Sequence, residues 1–207
     1  MTSQYLFICD HDGVLADAKY PIYPHMRATL LEFKQKNPHV IFAVASANPC
    51  SAEYLVRLGL DDIFDTVWSH RCKYPGFKTS VVTCTRNIPR IRSKFCSWRS
   101  KRSKVDVVVW PLDPAEEDIW ACAARGEELR NVKEIMIPYL LRHYAHIPVE
   151  NVVFFDDLVE NTQSVEKMLG VAGILVDAKV GLGPEALDVG LQRIVEAITT
   201  EASRKWG

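Results

Sequence analysis

Short unbroken apolar runs alternate along this chain with stretches of helical periodicity. Tyr5-Leu6-Phe7-Ile8-Cys9 is the first run, and it leads straight into Asp10-His11-Asp12-Gly13. Val40-Ile41-Phe42-Ala43-Val44-Ala45 is the second and ends in Ser46. Val152-Val153-Phe154-Phe155 is the third and ends in Asp156-Asp157. Runs of this length without polar alternation are the pattern of parallel strands covered on both faces. Leu60–Trp68 reads as a turn and a short strand, and Val105–Trp110 and Gly173–Val176 as further strands. A helix is predicted after Pro24, with Met26, Leu30 and Phe33 on one face and a stop at Asn37-Pro38. Tyr54, Leu55 and Leu58 mark another, stopped by Gly59. Ile119–Arg125 is predicted helical. Val132, Ile135, Met136, Tyr139, Leu140 and His143 share one helical face. Pro138 inside that pattern predicts a kink or a later start, and either places Lys133 at or before the helix N-terminus. Glu160–Leu169 is helical, and Pro184 opens a last amphipathic helix with Leu187, Leu191, Ile194, Val195 and Ile198 in line. Strands alternating with helices predict an α/β, Rossmann-like parallel sheet with helices on both faces.

The three long runs all end in polar residues, so the polar groups can converge on one edge of the sheet. The carboxyl edge is where such sheets bind ligands. Asp10 and Asp12, two apart on an extended chain, lean to the same side. Carboxylates that close repel unless a cation or a shared proton offsets them. Gly13 permits a backbone turn there. Asp-x-Asp-Gly alone reads equally well as an ordinary turn after a strand. Ser46 and the N–H groups after it, at Ala47 and Asn48, make a natural phosphate cradle at a strand-to-helix junction. Ser46 or Asn48 is also a good cap for the next helix, and both roles can hold together. Lys133 sits at the helix end where the macrodipole disfavours a cation, which fits a lysine held for an anion or a carboxylate.

Taken in order, Asp10-His11-Asp12-Gly13, Ser46, a lysine, and Asp156-Asp157 with Asn161 resemble the haloacid dehalogenase (HAD) superfamily of phosphotransferases. Each motif is weak by itself; the four in order are specific. The resemblance spans residues 5–48 and 133–161. It implies that Asp10 attacks phosphorus and that Asp12 serves as general acid and then base. It implies that Ser46 and Lys133 hold the transferring oxygens, with Ala47 and Asn48 beside them. It implies a magnesium ion held by Asp10, the Asp12 backbone carbonyl and Asp157, with Asp156 as the alternative or supporting carboxylate. Local wording is similar to the magnesium-dependent phosphatase branch in Leu58-Gly59-Leu60 through Phe64-Asp65, in Tyr74-Pro75-Gly76 and in Phe154-Phe155-Asp156-Asp157. That branch has an arginine after its second-motif hydroxyl, where this chain has Ala47. Lys78, directly after Tyr74-Pro75-Gly76-Phe77, is the rival to Lys133 for the motif-three lysine.

Composition narrows the picture less than the motifs do. With 207 residues, 48% apolar and 25% charged, the chain suits one globular domain, or one that carries an insertion. A net charge of −1 points globally to neither nucleic acid nor membrane. No run approaches the length of a membrane span, and the N-terminus lacks a signal-peptide pattern. The six cysteines are scattered, which fits reduced thiols in a cytoplasmic or nuclear protein. His70, Cys72, Cys84 and Cys96 are spaced too widely to favour zinc.

Residues 71–104 depart from the rest. They hold eleven lysines and arginines and no acid, interleaved with Phe77, Phe95 and Trp98. Residues 71–130 are accordingly expected to be a basic insertion or small cap-like module between motifs two and three. The catalytic core is then 1–70 with 131–207. The run is either a solvated face, balanced by Asp113, Glu116, Glu117 and Asp118, or a surface for an anionic partner. The expected activity is magnesium-dependent hydrolysis of a phosphoric monoester through an aspartyl-phosphate, on a small molecule, a phosphoprotein or a nucleic-acid end. The alternatives are a nucleic-acid 3′-end phosphatase whose basic run holds the backbone, and a non-catalytic binding module on the same scaffold.

Overall fold

A computed structural model of the chain describes residues 3–17, 22–46, 48, 51, 54–55, 59–60, 62–69, 79–84, 106–111 and 133–206. At its centre is β1, Tyr5–Cys9, whose Leu6, Phe7, Ile8 and Cys9 are fully buried. Strand β2, Val40–Ser46, pairs with one side of it and β6, Val152–Asp156, with the other, both parallel. Strands β3, Phe64–Ser69, and β7, Ala172–Leu175, extend the parallel sheet outward from β2 and β6. Beyond β3, β4 (Thr79–Cys84) and β5 (Asp106–Pro111) add an antiparallel pair. The full order is β5-β4-β3-β2-β1-β6-β7. The fold is therefore α/β and Rossmann-like, with five parallel strands as its core.

Side chains alternate across this sheet with the strand period of two. Phe7 lies opposite Phe42 and Val153, and with Cys9, Val44 and Phe155 these face one core. Helices α1, Met26–Lys36, and α4, Pro184–Trp206, cover that face with Met26, Leu30, Phe33, Leu187 and Ile194. Leu6 and Ile8, with Ala43, Ala45, Val152 and Phe154, face the other core. Helices α2, Lys133–His143, and α3, Val159–Leu169, cover it with Met136, Ile137, Leu140 and Val165. Helices on both faces explain why the strands read as unbroken apolar runs. The Phe7 ring meets Phe33, Phe42 and Phe155 at centroid distances of 5.5, 5.7 and 5.4 Å. Truncating it to alanine would cost about 3–5 kcal/mol.

Most elements fall within one or two residues of the pattern. The helix expected from Glu160 starts at Val159, the strand expected at Gly173–Val176 is Ala172–Leu175, and that expected at Val105–Trp110 is Asp106–Pro111. Helix α2 begins at Lys133 and runs on through Pro138. Strand β4, inside the basic run, was not expected. Its Thr79, Val81, Val82 and Thr83 are β-branched, a signal the surrounding charge obscured. Ser51, Tyr54 and Leu55 are helical, as expected. Leu58, the helix predicted at 119–125 and all of the 71–130 segment except β4 and β5 lie outside the described residues. Among the described residues no helix is long and apolar enough to cross a membrane.

Candidate active site

The register of β1 decides what meets at the sheet edge. Cys9 lies opposite Val44 and Phe155, so the next residue, Asp10, emerges beside Ala45 and Asp156. The Asp10 amide donates to the Phe155 carbonyl at 2.9 Å, which continues the pairing into the site. Asp10 Oδ1 accepts from the His11 backbone N–H at 2.6 Å and pairs with Lys133 Nζ at 2.7 Å. Lys133, the first residue of α2, is 4% exposed. An ammonium that deep is tolerated only with partners. Besides Asp10 it has the Ala45 carbonyl at 2.7 Å and the face of the Phe154 ring at 5.6 Å.

Asp156 is fully buried at the end of β6. Its Oδ1 accepts from the Leu158 N–H and from Asn161 Nδ2, both at 2.9 Å. Its Oδ2 has no hydrogen-bond partner among the described residues. Lys133 Nζ approaches that oxygen to 3.4 Å, an ionic contact without hydrogen-bond geometry. Burial pushes the Asp156 carboxyl up to about 6; Lys133 acts against this rise and Asp10 adds to it. Asp157 is also raised, again by burial first, then by its acidic neighbours.

Asp10, Asp156 and Asp157 can each offer an oxygen within 4.8 Å of the others. Three carboxylates against one buried ammonium leave excess negative charge, and one buried oxygen among them has only an ionic contact and no hydrogen bond. That oxygen set fits a hard divalent cation. Gly13 makes room for it at a φ of +76°; a Cβ there would lie 2.2–2.6 Å from the Asp157 carboxylate. Glycine is required both by the left-handed backbone and by the close approach.

The other expected residues flank this trio. Asp12 is exposed, and its Oδ1 accepts from Asn48 Nδ2 at 2.9 Å. Ser46 is buried, and its Oγ accepts the Asn48 N–H at 3.1 Å. Asp10, Lys133, Asp156 and Asp157 are thus brought together, as are Asp12, Asn48 and Ser46. Ala47 and Lys78 lie outside the described residues. Sequence reasoning missed His11. It is 1% exposed, stacks on Tyr54 at 5.5 Å, and both its ring nitrogens lack hydrogen-bond partners among the described residues. Burial holds its imidazole below the ordinary value. Its place between the two aspartates was the available signal: if Asp10 and Asp12 lean one way, the residue between them leans the other.

No family model matches the chain, and no curated protein matches it. It is similar to several solved structures. One is a protein of Thermoplasma acidophilum at 13% identity, covering 86% of this chain and 95% of that one, with a TM-score of 0.45. The IMP-bound IMP-nucleotidase of Plasmodium falciparum is 10% identical over 94% of this chain and 68% of that one, with a TM-score of 0.44. The haloacid dehalogenase-like hydrolase protein yhjK of Bacillus subtilis is 12% identical over 87% of this chain and 90% of that one, with a TM-score of 0.41. Likeness of this degree adds no weight to the chemistry, which rests on the side chains above.

Proposed function

We propose that this chain is a magnesium-dependent phosphomonoesterase of the haloacid dehalogenase type, working through an aspartyl-phosphate on Asp10. The observation that carries the reading is the trio Asp10, Asp156 and Asp157, with Asp156 Oδ2 lacking a hydrogen bond and Lys133 paired to Asp10. Magnesium bound by these carboxylates would offset their repulsion of an incoming phosphate dianion.

In this reading both contacts to Asp10 fall on Oδ1, so Oδ2 is the oxygen left for attack. It bonds to phosphorus as the ester P–O bond breaks, and the leaving oxygen takes a proton from Asp12. Water then attacks phosphorus and gives a proton to Asp12, and the bond to Asp10 breaks to release phosphate. The Ser46 hydroxyl and the Lys133 ammonium offset the charge on the transferred oxygens. The basic run 71–104 belongs to the proposal as the surface that draws in an anionic substrate.

The test is a substrate panel of small phosphates, phosphopeptides and phosphorylated DNA and RNA ends, each assayed with magnesium and with excess chelator. Turnover should require magnesium, and hydroxylamine should intercept an acyl-phosphate. Equal turnover in chelator would sink the mechanism. Strong preference for nucleic-acid ends would select the end-processing form of the reading. No turnover on any substrate would leave the non-catalytic module.

A further inference from the structure

Asn48 is held at both ends of its own peptide unit. Its N–H donates to Ser46 Oγ at 3.1 Å, and its carbonyl accepts from the Ser51 N–H at 3.2 Å and from Ser51 Oγ at 2.9 Å. Ser46 and Ser51 are themselves buried, at 1% and 0% exposure. A backbone pinned in this way delivers its side chain to one place. There Asn48 Nδ2 meets Asp12 Oδ1 at 2.9 Å, across 36 positions of sequence. An ionised carboxylate only accepts, so the amide nitrogen must be the atom that faces it. The ordinary duty of an asparagine before a helix uses the other amide atom, the oxygen, as acceptor. Capping and the bond to Asp12 therefore do not compete.

We propose that Asn48 is a positioning residue for Asp12, and this rests on the reading of Asp12 as general acid and base. Asp12 is exposed and sits in a turn where the Gly13 N–H bonds the Ala16 carbonyl and the Leu15 and Ala16 N–H groups bond the His11 carbonyl. That turn orders the backbone and leaves the side chain its rotamers. The Asn48 amide removes that freedom by holding one carboxylate oxygen. The second oxygen is then the one that carries the proton to the leaving group. The energy of one exposed hydrogen bond is small, but placement of a proton donor is steep in its effect on rate.

The experiment is a double-mutant cycle of Asn48→Ser and Asp12→Ala on the full chain with magnesium, using an alkyl phosphate and p-nitrophenyl phosphate. Serine keeps a capping oxygen and loses the reach to Asp12, so the variant should fold. Asn48→Ser should lower kcat for the alkyl phosphate roughly ten- to a hundredfold and KM little. The loss in kcat/KM, which reports transfer to Asp10 before the shared hydrolysis step, should be clearly smaller for p-nitrophenyl phosphate, whose leaving group needs less help from an acid. In the Asp12→Ala background Asn48→Ser should cost nothing more. Equal losses in kcat/KM on both substrates, or full additivity with Asp12→Ala, would overturn the inference while leaving the phosphatase reading intact. A wild type that turns over neither substrate, nor any in the wider panel, would overturn that reading and this inference with it.

Discussion

The carboxyl ends of β1 and β6 and the carboxyl end of β2 lie side by side on one edge and are built on opposite principles. At β1 and β6 three carboxylates face one ammonium in a buried place, and Asp156 Oδ2 is left without a hydrogen bond. At β2 the groups are neutral and satisfy one another: Ser46 accepts from Asn48, and Ser51 donates back to it. The second end carries no charge of its own, and Asn48 Nδ2 reaches from it to Asp12. The first holds carboxylates that one ammonium does not balance, and could hold a cation. A polar residue at a strand end is thus weak testimony for a ligand, and an unpaired buried atom beside excess charge is much stronger.

The sharpest way to break this contrast is Asp10→Asn. An amide is no nucleophile here, so turnover and the hydroxylamine-sensitive intermediate should both vanish. Ordinary turnover in this variant would mean the charged end is structural. Lys133→Met comes next. It leaves buried carboxylates without their counter-charge and should lower stability by about 3–5 kcal/mol in chelator, measured by urea unfolding. Magnesium should restore part of that loss. An unchanged urea midpoint would show that the ammonium carries no such burden.

Asp156→Asn should act less on the fold and more on the ion. The carboxamide oxygen can still accept from Leu158 and Asn161, while magnesium affinity, read by calorimetric titration, should fall by at least about tenfold. The pH dependence gives a second handle. Because burial raises the folded Asp156 carboxyl to about 6, the folded chain keeps a proton that the unfolded chain has already lost. Stability of the metal-free protein should therefore fall as pH rises from the ordinary carboxylate range through about 6. Asp157, also raised, adds a slope of the same sign. Melting in chelator across that interval should show the slope in wild type and less of it in Asp156→Asn; a flat wild-type profile would contradict the burial argument. The smallest effect on stability belongs to the neutral end. Ser46→Ala frees one backbone donor and should cost about 0.5–1.5 kcal/mol, with the melting profile keeping its wild-type slope.

The sequence by itself determined the strands and helices of the core and the residue types at their ends. These depend on near neighbours: an apolar run covered on both faces, a helical period, a proline or glycine at a boundary. Tyr5–Cys9 and Val40–Ser46 were legible to the residue for that reason. Asp10, Ser46 and Asp156-Asp157 were legible as strand ends that could converge on one edge, though not in their distances or hydrogen bonds. Pairing decided the rest. Lys133 and the Ala45 carbonyl it holds are 88 positions apart, and only the parallel register of β1 with β2 and β6 brings both to Asp10. That contact places Lys133 against the acidic group. In the same way, which Asp156 oxygen is left unpaired and what the Asn48 amide holds are set by tertiary approach. Strand β4 escaped for the same physical reason: pairing with β3 on one side and β5 on the other stabilises it, and pairing leaves only a faint trace in local composition.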